Sequence, residues 1–111
     1  MAVGSGDLPV LATPILIALM EAAACQALAA HLPRELTSVG STVNIRHVRP
    51  SVIGANVVAT ARVAQAEGDT VAFEVTVRQD LADGTSVVVG RGTHSRVIVD
   101  RATFLAVATR T

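Results

Sequence analysis

Apolar positions fall into two periods along this chain. Residues 13–30, TPILIALMEAAACQALAA, are almost continuously apolar, broken only by Glu21 and Gln26. That length and density predict one long buried helix. Thr13 and Pro14 mark its start, Thr as N-cap and Pro at the first helical position. Pro33 ends it at about His31 or Leu32, because proline lacks an N–H and disfavours helical geometry in the residue before it. From Ser38 the period drops to two. Val39, Val43, Ile45 and His47 share one face of a strand, with Thr42, Asn44 and Arg46 on the other. Residues 55–66 gather Val57, Ala59, Ala61 and Val63 on one side. Residues 70–79 alternate most regularly, with Val71, Phe73, Val75 and Val77 inward and Glu74, Thr76 and Arg78 outward. A last long strand covers residues 86–99. Glu67-Gly68-Asp69 and Asp83-Gly84 are hairpin turns, and residues 49–54 break the first two strands. Residues 1–6 are expected to fray, residues 8–11 to be extended, and residues 100–111 to form a weak terminal pattern through which Phe104 docks.

One long helix followed by four strands on short turns gives an antiparallel meander, since parallel pairs need long crossovers. A sheet with one apolar face and an apolar helix to cover it makes a two-layer α+β domain, a single one over residues 1–111. Composition adds a constraint on its core. Half of the residues are apolar but only two are aromatic, Phe73 and Phe104, so Val, Ile, Leu and Ala must fill the interior. All nine basic residues are arginines, spread singly, and the formal net charge is zero. Without a basic stripe or an aromatic platform, nucleic acid is not an expected partner. The apolar run carries Glu21 near its middle and no basic region before it, so neither a membrane span nor a signal peptide is expected. The single cysteine, Cys25, makes no intramolecular disulfide and no metal cluster, in keeping with a cytoplasmic setting.

Glu21 is the first candidate for chemistry. It shares a helical stripe with Ile17, Ala24, Cys25 and Leu28. A carboxylate among such neighbours must be paired, hydrogen-bonded, protonated or set in a cleft. The pattern leaves open both a structural ion pair with an arginine and a functional carboxylate. His47 takes the place of an apolar, helix-facing residue after Val43 and Ile45. It is either a satisfied core histidine or a proton-handling group. Thr13 is sufficiently explained as a cap, although a helix start also offers N–H groups to a carbonyl oxygen. Gly90-Arg91-Gly92 lies inside a strand with no helix after it, so it is no phosphate loop; alternate glycines there let another element approach closely. His94 continues the same face, either packed or near a site. His31 reads as a favourable charge at the helix end, and Cys25 as a small buried apolar residue.

On these residues the chain resembles the hotdog-fold thioesterases, in the group that includes the fluoroacetyl-CoA thioesterase. The likeness runs from LATPILIALMEAAAC through TSVGSTVNIRHVRPSVIG to GRGTHSRVIVDRATF. It implies a hotdog fold, an antiparallel sheet wrapped around one central helix. It also implies hydrolysis of an acyl thioester, usually acyl-CoA, where two subunits meet. By the same resemblance Thr13, Glu21 and His47 form the catalytic set. Glu21 attacks the thioester carbonyl or activates water, His47 assists proton transfer, and Thr13 positions the carboxylate and substrate. Gly40, in the substrate-proximal turn, and His94 are the expected substrate-binding residues. No metal or cofactor is implied beyond coenzyme A as part of the substrate, and a homodimer or dimer of dimers is the expected assembly. The chain departs from the family pattern in two places. The strand that precedes the helix is missing or short. Residues 1–12 also lack the aromatic lid of the fluoroacetyl-specific enzyme, which points away from fluoroacetate and toward another small or medium acyl group. The alternative function is a non-catalytic hotdog module that binds an acyl-CoA or small apolar ligand; a purely structural dimer is the third.

Overall fold

A computed structural model of the protein describes residues 4–5, 8–52 and 55–110. The expected break at Gly54 and part of the segment expected to fray lie outside them. The described elements run β1 (Gly4–Ser5), β2 (Leu8–Leu11), α1 (Thr13–Ala29), β3 (Leu36–His47), β4 (Val57–Glu67), β5 (Thr70–Asp80), β6 (Ser86–Asp100) and α2 (Arg101–Ala108). β1 and β2 form a small antiparallel pair, and the other four strands form one antiparallel sheet in the order β3-β6-β5-β4. The long helix lies on one face of that sheet, giving the two-layer α+β hotdog architecture.

The helix and sheet meet through a line of residues four apart. Leu16, Met20, Ala24 and Leu28 are buried, one spacing that keeps to a single helical face. They pack on Val71, Phe73, Val75 and Val77 of β5 and Val89 of β6. Burial of each large side chain contributes about 1.5–3 kcal/mol, and Leu16→Ala, at a fully buried position, is expected to cost about 2–5 kcal/mol. Glu21 sits beside this line, half-buried. The helix ends at Ala29, earlier than Pro33 alone suggests. The amides of His31 and Leu32 then bond to Leu28 O and Ala29 O, so the chain leaves the helix in a turn that leaves His31 exposed.

The alternation of β5 holds without exception, and the two hairpin turns fall where expected, with Gly68 and Gly84 at positive φ. The paired glycines of β6 also have their close neighbours. A β-carbon on Gly90 would meet Leu16 of α1, and one on Gly92 would run into the backbone of Asn44 in β3.

Two expectations about the strands and the C-terminus fail. The first is the face of Val39. A bulge between Gly40 and Thr42 breaks the β3–β6 register, and one extra residue reverses the parity of everything before it. Ser38 and Gly40 therefore face the helix along with Val43, Ile45 and His47, and Val39 lies on the other side. The second is the docking of Phe104: the weak terminal pattern of the C-terminal segment is the helix α2, which lies on the surface. Asp100 caps it by accepting a hydrogen bond from the Thr103 amide at 2.9 Å, a Ser/Thr/Asp/Asn-type signal present in the sequence. None of its residues is buried, so Phe104 lies over the end of β6 without entering the core.

Candidate active site

Helix α1 begins one residue earlier than expected, and this changes the role of Thr13. Ala12 takes the capping position with extended backbone, and no side chain caps the helix. The Thr13 hydroxyl is turned elsewhere. Its Oγ1 shares a 3.0 Å hydrogen bond with His47 Nδ1 at the end of β3. Several backbone contacts hold this corner in place. Val48 N and Arg49 N donate to Val89 O at 2.8 and 3.2 Å, and Leu11 N donates to Ser51 O at 2.6 Å just before the helix. Ser51 is itself buried, its hydroxyl donating to Gln79 Oε1 at 2.9 Å. The other ring nitrogen of His47, Nε2, is buried and has no hydrogen-bond partner. A buried nitrogen left in that state costs free energy unless something comes to meet it.

Glu21 lies two helical turns further on, about 12 Å along the axis from Thr13, and bonds to neither Thr13 nor His47. Its surroundings are set by Gly40, which is inside strand β3 and not in a turn as expected. A β-carbon on Gly40 would lie 3.2 Å from Glu21 Oε2, 3.1 Å from His94 Cε1 and 3.5 Å from Arg96 Nη1. Three polar side chains thus converge on the space that the missing side chain leaves.

His94 and Arg96 are buried behind that point, 1% and 7% exposed. His94 Nδ1 lies 2.8 Å from Thr42 O. A carbonyl only accepts, so the ring carries its proton on Nδ1 and offers Nε2 as an acceptor. Arg96 Nη1 donates to that nitrogen at 3.2 Å, and the rest of the guanidinium is held by Ser38, Nε donating to its hydroxyl at 2.8 Å and Nη2 to its carbonyl at 2.9 Å. Both His94 nitrogens are therefore occupied, and only its Cε1 edge reaches the Gly40 space. Sequence reading missed Arg96, which looked like one of nine scattered arginines. The available signal was period two: Arg96 is two residues after His94 on a strand, so it shares its inward face.

The structure thus brings Thr13 to His47 and Glu21 to Gly40, His94 and Arg96, at opposite ends of β3. Cys25 is half-buried and free. It lines a separate cavity of about 170 Å³ with Leu32, Leu36, Ser38 and Arg101 near the C-terminal end of α1. Among the described residues no three His, Cys, Asp or Glu side chains stand close enough to hold a metal ion. No described helix is long and apolar enough to cross a membrane.

The profile of the family described as FlK, fluoroacetyl-CoA-specific thioesterase, matches residues 1–102. The chain belongs to this family. Fluoroacetyl-CoA thioesterase-type proteins are thioester hydrolases, and solved structures of such enzymes share the fold seen here. A mutant of the fluoroacetyl-CoA-specific thioesterase in complex with fluoroacetate and CoA is 28% identical, over 94% of this chain and 77% of that one, with a TM-score of 0.80. A Thermus thermophilus protein described as a thioesterase superfamily member is 27% identical over 97% of this chain and 79% of its own, with a TM-score of 0.85. A Bacillus halodurans protein solved with CoA is 25% identical over 86% and 60%, with a TM-score of 0.73. No curated protein sequence matches.

Proposed function

We propose that this member of the family hydrolyses a small or medium acyl-CoA thioester at a site shared by two copies of the chain, with Thr13, Glu21 and His47 as its working residues. The observation that carries the reading is His47. Its imidazole is held by Thr13 at one nitrogen and is buried and unpartnered at the other, on an edge strand that has Glu21 and Gly40 near its far end. β3 is the outer strand of the sheet, and an open edge of 12 residues is a surface that proteins cover. A two-fold axis between Val43 and Asn44 would pair β3 with its copy antiparallel. Gly40 and Glu21 of one subunit would then lie level with Thr13 and His47 of the other. Val43, a valine 42% exposed in the single chain, would be covered at the centre of that seam.

The chemistry follows from the residue types. Glu21 attacks the thioester carbonyl, directly or through a water whose proton it takes. The tetrahedral intermediate collapses by breaking the C–S bond. With the Thr13 hydroxyl donating to Nδ1, His47 carries its proton on Nε2 and hydrogen-bonds the departing sulfur with it. The proton that ends on the thiol comes from the water by way of Glu21. On the direct route the acyl group is left on Glu21 as a mixed anhydride that a water hydrolyses; on either route that water supplies the oxygen of the free acid and the proton of the CoA thiol, and Glu21 is regenerated. That relatives were solved with CoA supports coenzyme A as the carrier. Residues 1–12 hold no aromatic side chain and Phe73 is fully buried in the core, which supports an acyl group other than fluoroacetyl.

Thiol release from short, aromatic and long acyl-CoA esters tests the activity. The shared site is tested by mixing Glu21→Gln and His47→Ala proteins after partial unfolding and refolding. Each parent is expected to be inactive, while the mixed dimer regains one intact site and therefore activity. An inactive mixture would place both residues in the same subunit's site. Tight binding of the esters with no turnover on any of them would favour the binding module instead.

A further inference from the structure

The reaction proposed above uses the helix side of the sheet. The outer side carries a charged patch that this reaction leaves idle. Arg46 on β3 and Arg91 on β6 are direct register partners, and both are exposed. Like charges set opposite each other on neighbouring strands destabilise a sheet. Arg91 is in turn opposite Thr76 of β5, and Arg78, two residues further along β5, is opposite Val58 of β4. Exposed arginines from three adjacent strands thus share one end of the outer face. None of the three is in the ion pair found among the described residues, which is Arg62 with Glu74. The carboxylates next along the chain are engaged elsewhere. Asp80 accepts from Asn56 Nδ2 at 3.0 Å, and Asp83 accepts from the Thr85 amide and hydroxyl at 2.9 and 2.6 Å. Val48, two residues past Arg46, and Val58 are 44% and 52% exposed beside the arginines.

We propose that this patch docks an acidic carrier protein that presents the acyl group as a phosphopantetheine thioester. This rests on the reading of the chain as a thioester hydrolase and adds a second acyl donor beside acyl-CoA. Shape argues for a protein. Sites for small molecules are concave, whereas these arginines stand on the outer face of a sheet, on strands about 4.8 Å apart. Arginines among exposed apolar side chains are the makeup of a protein interface. Sign selects the kind of protein. A second copy seated face to face would bring arginines against arginines, and three cations without an aromatic side chain make no nucleic-acid surface. An acidic surface would relieve the opposed pair and steer the encounter. Position selects a thioester carrier. Arg46 precedes His47 at the end of β3, so the two side chains leave the strand on opposite faces. A carrier seated on the outer face has only to lead its flexible arm around that strand end to bring the thioester to His47. The arm ends in the same thioester as acyl-CoA, so the chemistry is unchanged: water supplies the oxygen of the free acid and the proton of the carrier's thiol.

The test follows thiol release from one acyl group carried two ways, on CoA and on an acidic phosphopantetheinylated acyl carrier protein. The proteins compared are wild type, Arg46→Glu/Arg91→Glu and, as a control beyond α2, Arg110→Glu. The double reversal is expected to lower kcat/KM for the carrier-bound ester about 30-fold or more and that for acyl-CoA less than about threefold, with Arg110→Glu moving neither. Raising salt from about 50 to about 300 mM should lower the wild-type rate on the carrier about fivefold or more and leave the double variant's rate unchanged. Thermal melts establish that the variants are folded. Should the double reversal fail to fold, Arg46→Gln/Arg91→Gln is expected to lose about fivefold on the carrier-bound ester alone. An equal loss on both esters overturns the proposal, because the patch then serves the phosphates of CoA. Binding of wild type, but not of the double variant, to phosphatidylglycerol vesicles with no binding of the carrier protein also overturns it, in favour of a membrane surface. Binding of labelled carrier protein separates the two readings. If wild type binds it, the double variant does not, and neither ester is turned over, docking stands and the hydrolase reading falls. If acyl-CoA is turned over and the carrier protein is not bound, docking alone falls.

Discussion

The two ends of β3 solve opposite problems. At the His47 end the polar groups are few and near the surface, with one hydrogen bond to an exposed threonine and one buried nitrogen left over. At the Gly40 end the polar groups are packed deep, every nitrogen of His94 and Arg96 is bonded, and a carboxylate stands against the cluster without a bond of its own. One end is incomplete in donors and acceptors; the other is complete in hydrogen bonds but has a charge to spare. Each lacks what the other offers, which is why a seam joining the two ends from different subunits is the arrangement the proposed chemistry calls for.

The contrast can be broken most severely at Glu21. Glu21→Gln is expected to lower kcat/KM by about 10³-fold or more, measured by thiol release, because the general base or nucleophile is gone. His47→Ala is expected to cost about 10²-fold or more, with the larger share in kcat, because the leaving thiolate loses its hydrogen-bond donor while water can partly substitute. Equal wild-type rates for both would remove chemistry from either end of the strand.

Gly40→Ala sharpens the contrast at the packed end. Its methyl would press on His94, which is held at both ring nitrogens, and on the Glu21 carboxylate, which is free to move. The carboxylate should yield, with kcat falling about tenfold and stability by about 1–3 kcal/mol in urea unfolding. Thr13→Ala probes the open end. Since Thr13 does not cap α1, stability should change by less than about 0.5 kcal/mol while kcat falls about tenfold, and Thr13→Ser should restore it. A large loss of stability would return Thr13 to a capping role.

The smallest effect serves as a control outside both polar clusters. Asp100 accepts from the Thr103 amide at the start of α2, and this bond holds its carboxyl below the ordinary aspartate value. A lowered value in the folded state means that the stabilisation is present above the unfolded value and fades as pH falls through the folded one. Amide protection in α2 should therefore drop below about pH 4 without a change in the packing of β5, as followed by hydrogen exchange.

How much of this was legible in the sequence differs along the same strand. The helix, the four strands and the regular face of β5 could be read because burial imposes a period that composition preserves. The inward placement of His47 was legible for the same reason. The Gly40 end was not. A bulge adds one residue without leaving a mark on the hydrophobic pattern, so Val39 looked inward and Ser38 outward. Arg96 was hidden differently. A buried arginine contradicts the usual partition of charge, and the hydrogen bonds that hold it, to Ser38 on β3 and to His94, are visible only in three dimensions. Thr13 carried a sufficient local explanation as a cap, and that explanation concealed its bond to a residue 34 positions away.

The bulge near Ser41 bears on how the chain avoids misfolding. Strand pairing with a strict two-residue repeat tolerates a slip poorly, yet a slip of two keeps every side chain on its proper face and is the error most easily made. Here β3 is out of phase with itself across the bulge. A two-residue slide against β6 would carry the irregular step out of its place and turn part of the strand inside out, exposing Ser38 or burying Val39. It would also move the backbone near Asn44 off Gly92, whose missing side chain is what lets that backbone approach. The irregularity and the glycine act as a pin and its socket, and together they favour the observed alignment of an otherwise repetitive valine-rich sheet.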